Sequence, residues 1–320
     1  MHFRAIRKDD VDACVALLSP AAAGGLAPAS LAALWRELLH EERINGGVVV
    51  EAPSERVLAF GLTAFVDETF LAEYLTAPKP YLAARLYEGV QSQRSLMLDP
   101  RDLRQPNEAG ALNFVILHFR MVPDLETAVG QGAVAAAEAG FRLAHGGYRV
   151  RRMLQEAHGP REAAMLTGAG LRLKSDYAGY FAAHCIGEPP AGERPALMGL
   201  YADDPESRTL GTAAASMFHY DEPLFYFSPA EQRVLARAVL DESDEEIARE
   251  LGLSIAAVKK IWRRAYERVA DEAPSLLAMD ADGPGSTRGK EKRRTLVRYL
   301  RYHLHELRPV ARRAPRRARD

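Results

Sequence analysis

A chain of 320 residues, 48% hydrophobic and 27% charged, is long enough for one medium domain plus one or two small ones and has the composition of an ordinary globular protein. Cys14 and Cys185, the only cysteines, are too few for a disulfide framework or a cysteine-based metal site and fit a reducing cytoplasm; no run approaches the roughly 18 apolar residues of a membrane span, so no membrane association is expected. The net charge of -1 hides an asymmetry: Gly283 to Asp320 carries thirteen Lys/Arg against three acids, +10, and the remainder therefore carries -11, a balance suited to contact with nucleic acid through one end.

In chain order, Phe3 to Ile6 predicts a strand, and VDACVALL after Asp9-Asp10 a helix. A second helix spans about Ala29 to Glu42, with Leu31, Leu34, Leu38 and Leu39 as its stripe. Gly47 to Glu51 and Val57 to Phe65, joined by Pro53-Ser54-Glu55-Arg56, predict an antiparallel hairpin. Val66 to Gly110 turns helical. Leu112 to Met121 (LNFVILHFRM) is the most apolar strand and the expected centre of the sheet. A loop then leads to Gly130-Gln131-Gly132 and a helix to about His145. A strand at Tyr148 to Gln155, a helix at Pro160 to Ala169 and a last strand at Leu171 to Ala182 complete this part.

This order of elements resembles the GNAT N-acetyltransferase fold over roughly Met1 to His184. The resemblance implies an α+β domain, a mixed and mostly antiparallel sheet flanked by helices. Its signature loop, R/Q-x-x-G-x-G/A, would fall on Thr127, Ala128, Val129, Gly130, Gln131 and Gly132, whose amides at a helix start would cradle the pyrophosphate of acetyl-CoA or another acyl-CoA. Both glycines are present and the leading Arg/Gln is not. An ordinary glycine turn before a helix reads the same residues as well. Where many family members carry a proton-donating tyrosine, this chain has Leu166, which cannot donate. His118 could act as a base, yet within VILHFR a histidine is more often a core residue. No catalytic residue and no metal site are assigned, and the domain reads as a non-catalytic sensor.

IGEPPAGERPAL, from Ile186, predicts the domain boundary. The stretch from Phe227 to Val269 follows, after an aromatic cluster at Leu224 to Phe227 read as packing on its first helix. Ser228-Pro229-Ala230-Glu231 and Ser243-Asp244-Glu245-Glu246 are capping boxes, Gly252 closes a short second helix, and Ser254 caps a third. On the third helix Val258, Ile261, Trp262, Ala265 and Val269 share one face, and Lys259, Lys260 and Arg263 another. A helical hairpin with a solvated basic face is the plainer reading of such charge.

Ser228 to Val269 also resembles the LuxR-type helix-turn-helix, matching at Ser228, Pro229, Glu231, Val234, Leu235, Glu246, Ile247, Ala248, Leu251, Gly252, Ser254, Val258, Lys259 and Tyr266, and departing at Ile261, where the family often has histidine. The resemblance implies an all-α DNA-binding domain. Ser254, Ala256, Lys259, Lys260 and Arg263 would then lie in or beside the major groove, and Arg264 and Arg268 on the backbone. It further implies duplex DNA, RNA polymerase and a second copy as partners.

Beyond it, Glu291 to Leu307 predicts a basic helix with a stripe of Leu296, Leu300, Leu304 and Leu307. That helix could dock on the helix-turn-helix, pair with a second protomer or lie on DNA. The expected organisation is a GNAT-like sensor at 1–185, a linker with a short helix at 186–226, the helix-turn-helix at 227–270, a flexible linker at 271–289, a basic amphipathic helix at 290–308 and a disordered basic tail at 309–320. The expected function is a sequence-specific DNA-binding transcriptional regulator in the cytoplasm. The alternative is an acyl-CoA-dependent N-acyltransferase fused to a DNA-binding module.

Overall fold

Apolar strands separated by helices give β1 (His2–Ala5), α1 (Val11–Val15), α2 (Pro28–His40), β2 (Asn45–Glu51) and β3 (Arg56–Val66). After these come α3 (Glu68–Thr76), α4 (Leu82–Gln91), α5 (Arg104–Ala109), β4 (Leu112–Met121), α6 (Ala128–His145) and β5 (Val150–His158). Then α7 (Pro160–Gly168), β6 (Arg172–Ser175), α8 (Ala178–His184) and β7 (Pro195–Tyr201) complete the first part of the chain. The computed structural model describes residues 1–20, 22–92, 94, 96–184, 187–209, 211–278 and 288–311. The chain divides into two units, Met1–Arg142 with Arg149–His219, and Leu143–Tyr148 with Tyr220–Asp320.

The sheet of the first unit has the order β1-β2-β3-β4-β5-β7-β6. Every neighbouring pair is antiparallel except β4 with β5. A parallel pair needs a long crossover, which α6 supplies. Pairing of β4 with β5 runs from Leu112↔Val150 to Ile116↔Gln155 and stops there, although β4 continues to Met121 and β5 to His158. The sheet therefore opens into a V. A mostly antiparallel seven-stranded sheet, one splayed parallel pair and helices against its faces match the GNAT-like architecture that the sequence resemblance implies.

Trp35, Leu31 and Leu38 of α2, Leu86 and Tyr87 of α4 and Leu71 of α3 form one core with Val48, Val50, Phe60 and Leu62 of the sheet. A second cluster joins Val49, Leu58 and Ala59 to Ala133 of α6. Small residues let α6 lie close: a Cβ at Gly140 would overlap the Phe3 ring, and one at Gly130 the Asp124 carbonyl.

Two expectations change here. The strand expected at Leu171 to Ala182 is β6 followed by α8, because Tyr177 turns the chain with a left-handed φ of 58°. Part of the expected linker is β7, which pairs with both β5 and β6. The Pro/Gly-rich stretch before it masked PALMGLY, an apolar run of the kind found in a strand covered on both faces.

The second unit contains α9 (Pro229–Ala238), α10 (Asp244–Leu251), α11 (Ile255–Glu272), α12 (Pro274–Ala278) and α13 (Arg288–Tyr302), then a 3₁₀ turn at Leu304–Leu307. Both capping boxes form. The Ser228 amide donates to Glu231 Oε2 (2.7 Å) and the Ser243 amide to Glu246 Oε2 (2.9 Å). Gly252 ends α10 at φ 63°, and Ser254 Oγ accepts from the Ala257 amide at 3.1 Å. Val234, Leu235, Ile247, Val258, Trp262 and Val269 share a core with Phe225, Phe227, Leu296 and Leu300. Of the three placements open for the basic helix, docking on its own unit is the one found. The expected flexible linker begins instead with the end of α11 and with α12, and its residues 279–287 lie outside the described residues, as do 312–320 of the expected tail.

Candidate active site

Beyond the last paired residues of β4 and β5, side chains alternate between the two sheet faces, so His118 and Arg120 share one face of β4, and Glu156 and His158 one face of β5. His118 is a core residue. Its Nε2 lies 2.9 Å from the Tyr87 hydroxyl, which also accepts from Trp35 Nε1 at 3.0 Å. Burial, aided by the Arg120 charge, lowers the His118 pKa to about 3. It is neutral across the physiological range, in a closed hydrogen-bonded chain. Arg120 donates to Glu162 Oε1 of α7 (2.6 Å) and to the Phe119 carbonyl (2.7 Å), while Glu162 Oε2 accepts from the His158 amide at 2.6 Å.

Glu156 is the group with unusual chemistry. Its carboxylate accepts from the Tyr81 amide at 2.7 Å, with the Leu82 amide and the Tyr177 hydroxyl as further polar neighbours that favour its charged form. From β5 the carboxylate lies against the start of α4, and the side chain is 8% exposed. Burial pushes its pKa up, and the nearby Glu162 adds to that; the three donors pull it down. Burial wins, and the value is about 7. His158 Nε2 lies 3.8 Å away, but burial, then the Arg120 charge, hold the imidazole at about 4. The histidine is neutral where Glu156 titrates, so the contact is no salt bridge. Tyr81 stacks on His158 with ring centres 6.2 Å apart.

Tyr177 is buried, and its hydroxyl lies 3.0 Å from that of Tyr74, which donates to the Lys79 carbonyl at 2.7 Å. Both tyrosine hydroxyls are raised by burial. Tyr81 and Tyr177 have φ of 67° and 58°. That conformation costs a non-glycine residue about 1–2 kcal/mol, so the surrounding structure holds both in place.

The residues expected as a glycine loop form the first turn of α6, which begins at Ala128, with Thr127 just before it. Thr127 Oγ1 accepts from the Gly130 amide at 3.0 Å, and the Thr127 carbonyl from the Gln131 amide at 2.9 Å. Ala128 and Val129 open α6, and among the described residues their amides donate to no protein acceptor. Gly130 is buried against Asp124, Gly132 lies beside Met1, and Gln131 is exposed. Asp124 would repel a phosphate but is paired with Arg161 at 2.7 Å, and Arg161 keeps most of its side chain in solvent. Two unengaged amides at the positive end of an 18-residue helix, beside an arginine, fit the phosphates of an acyl-CoA.

The residues assigned to DNA are placed on α11 and at its start. Ser254 is the N-cap, and Ala256, Lys259, Lys260, Arg263 and Arg264 are exposed. Arg268 Nε pairs with Glu231 Oε2 at 3.3 Å. Together with Arg264 it lines a cleft of about 280 Å³ whose other walls are Glu231, Glu267, Asp271 and Glu272. The second half of that helix is therefore not a uniformly cationic face.

Fold and cluster together define a GNAT-like domain with a buried carboxylate of near-neutral pKa at its splayed strands. No family model and no curated protein matches the chain. Solved structures do. Arylalkylamine N-acetyltransferase 2 from Aedes aegypti is 12% identical with a TM-score of 0.38, covering 62% of this chain and 98% of its own. A polyamine N-acetyltransferase from Drosophila melanogaster is 14% identical with a TM-score of 0.35, over the same shares. An arylalkylamine N-acetyltransferase 7 from Aedes aegypti is 13% identical with a TM-score of 0.36, covering 63% of this chain and 88% of its own.

The expected role as a DNA-binding transcriptional regulator is corrected here. The solved structures named above are N-acetyltransferases, and the buried carboxylate of near-neutral pKa, Glu156, lies in the GNAT-like domain. Glu156 was missed because the expected strand stops at Gln155, one residue short of it, whereas β5 runs on to His158. A carboxylate within the largely apolar run MLQEAH was the available signal, since glutamate is rarely withdrawn from water unless paired.

Proposed function

We propose that the chain is an acyl-CoA-dependent N-acyltransferase in which Glu156 takes the proton from an acceptor amine. The observation that carries this is the position of Glu156: a buried carboxylate raised to about 7, where the parallel strands part. A base working at neutral pH is most effective with a pKa near that pH. When bound, the acyl-CoA supplies the thioester from which the acyl group passes to nitrogen. The Ala128 and Val129 amides and Arg161 would hold its phosphates.

Glu156, with the ring pair of Tyr81 and His158 beside it, suits a cationic amine: the carboxylate attracts the ammonium and then removes one proton. Arg120 neutralises Glu162 and keeps it from competing for the same cation. With Leu166 unable to donate, protonated Glu156 is the group placed to return a proton to the departing sulfur. From ammonium to amide the nitrogen loses two protons: one passes through Glu156 to the departing sulfur, which becomes a thiol, and the other is released to solvent.

In this proposal the second unit is an appended binding module. The exposed Lys259, Lys260 and Arg263 support duplex DNA as its partner, with no regulatory role attached. A gel-shift titration comparing the parent with Lys259→Ala/Arg263→Ala checks that part. The enzyme itself is tested by thiol release from acetyl-CoA across a panel of arylalkylamines and polyamines, alongside Glu156→Gln. Turnover by the parent and its loss in the variant are expected, with acetyl-CoA affinity by calorimetry retained. A variant as active as the parent would sink the assignment of Glu156.

A further inference from the structure

We infer that Asp124 is a positioning residue that sets acyl-CoA affinity: it holds Arg161 in the free protein and yields it to the pyrophosphate when the ligand arrives. This rests on the acyltransferase proposed above. Two ion pairs tie α7 to the β4 side of the splayed strands, and their polarities are opposite. Arg120 of β4 meets Glu162 of α7 at 2.6 Å, with side chains 20% and 16% exposed. Asp124, on the loop after β4, meets Arg161 of α7 at 2.7 Å, and these side chains are 53% and 75% exposed. The inner tie is fixed, because a charge withdrawn from water is costly to strip of its partner. The outer tie is exchangeable, because an ion pair in water gains little over its separated, hydrated charges.

A diphosphate is the better partner for Arg161. A guanidinium takes two phosphate oxygens side by side in charge-assisted bonds. Asp124 lies one turn ahead of α6: its carbonyl accepts from the Thr127 amide at 3.0 Å and from the Thr127 hydroxyl at 2.7 Å, and Gly130 packs on it. An arginine tethered there is held at the helix start that carries the unengaged Ala128 and Val129 amides. The pyrophosphate thus gains the arginine and two amides together, where the carboxylate gains the arginine alone. Thr127 stands where the signature loop has Arg or Gln, so Arg161 supplies from α7 the cation that the loop lacks.

Asp124 does not follow its partner. Its Oδ1 also accepts from the Glu126 amide at 3.3 Å, which keeps the carboxylate in place as an opposing charge. Removing that charge should therefore tighten binding of an anion by more than its sign alone explains. Glu126 is the internal standard: it is exposed at the same helix start, and the Arg161 ion pair is made with Asp124 instead.

The experiment titrates CoA by calorimetry into the full chain as parent, Asp124→Asn, Glu126→Gln, Arg161→Gln and the double variant Asp124→Asn/Arg161→Gln. Parent and Asp124→Asn are repeated with dephospho-CoA, which keeps the pyrophosphate and lacks the 3′-phosphate. Asp124→Asn should bind CoA about fivefold more tightly, and Glu126→Gln should change affinity by less than about twofold. Arg161→Gln should bind about tenfold more weakly, and in that background the Asp124→Asn gain should shrink to about twofold. The fivefold gain should persist with dephospho-CoA, and the KM for acetyl-CoA should fall in Asp124→Asn.

No gain in Asp124→Asn, or an equal gain in Glu126→Gln, overturns the inference and leaves the acyltransferase standing. A gain lost with dephospho-CoA overturns it too, since the 3′-phosphate is then the partner. The expected order of affinities in a chain that releases no thiol with any amine supports the exchange and sinks the enzymatic proposal instead. Absence of CoA binding in both the parent and Asp124→Asn overturns both.

Discussion

Charge is handled in opposite ways in the splayed strands of the first unit and on the α11 helix of the second. Around Glu156, ionisable side chains are withdrawn from water, each is paired, and the cost of burial appears as displaced proton affinity: Glu156 up, His118 and His158 down. On α11, Lys259, Lys260 and Arg263 stand in solvent, and burial there falls to Val258, Trp262, Ala265 and Val269 on the opposite face. The difference teaches where to look for chemistry. A solvated cation is cheap to keep and is compatible with many roles; a buried carboxylate is expensive and persists only where packing and hydrogen bonds hold it.

The contrast can be broken most decisively at Glu156. Glu156→Gln should lower kcat by about a thousandfold, the usual scale for losing a general base, measured by steady-state thiol release. Next comes stability against pH. Glu156 has a folded pKa of about 7, above the 4.5 of the free carboxyl. Its contribution is therefore fully present below 4.5 and is lost as pH rises through about 7. On the order of 3 kcal/mol should disappear across that window, visible as a falling denaturation midpoint that Glu156→Gln flattens.

Of similar size, Leu300→Ala in the second unit should cost about 3 kcal/mol in chemical denaturation, because the side chain is fully buried in that unit's core. Ser243→Ala should cost about 1 kcal/mol in the same measurement by removing the α10 cap. Smallest, Lys259→Ala should change stability by less than about 0.5 kcal/mol. A large loss there would mean the lysine is part of the packing and would erase the contrast.

How much could be read from the chain follows the same division. The caps at Ser228, Ser243 and Ser254 and the turn at Gly252 are local, each decided by residues three or four positions apart, and all appear in the structure. The strands Gly47 to Glu51 and Leu112 to Met121 carried enough apolar residues to be recognised, and the helix expected from Gly130 is there but begins at Ala128. The site was not legible. Glu156 meets the Tyr81 amide and Tyr177 only because strand pairing brings segments distant in sequence together, and no spacing rule encodes that meeting. The left-handed turns at Tyr81 and Tyr177 have no sequence signature either, since tyrosine is not a residue that favours them. DNA binding was over-weighted for the converse reason: local signals describe a helix surface well and say nothing of what the remainder of the chain is built to do.

The placement of β7 has a practical outcome. Among the described residues β7 is the last strand in the chain, yet it lies directly against β5 and is the one neighbour of β6. A protein cut at residue 185 would therefore leave the strand bearing Glu156 with a bare edge, exposed to pairing with foreign chains, and the acid–base centre with an unfinished back wall. On the ribosome the same order means that this centre cannot mature until Tyr201 has emerged, and an excised domain should end no earlier than His219.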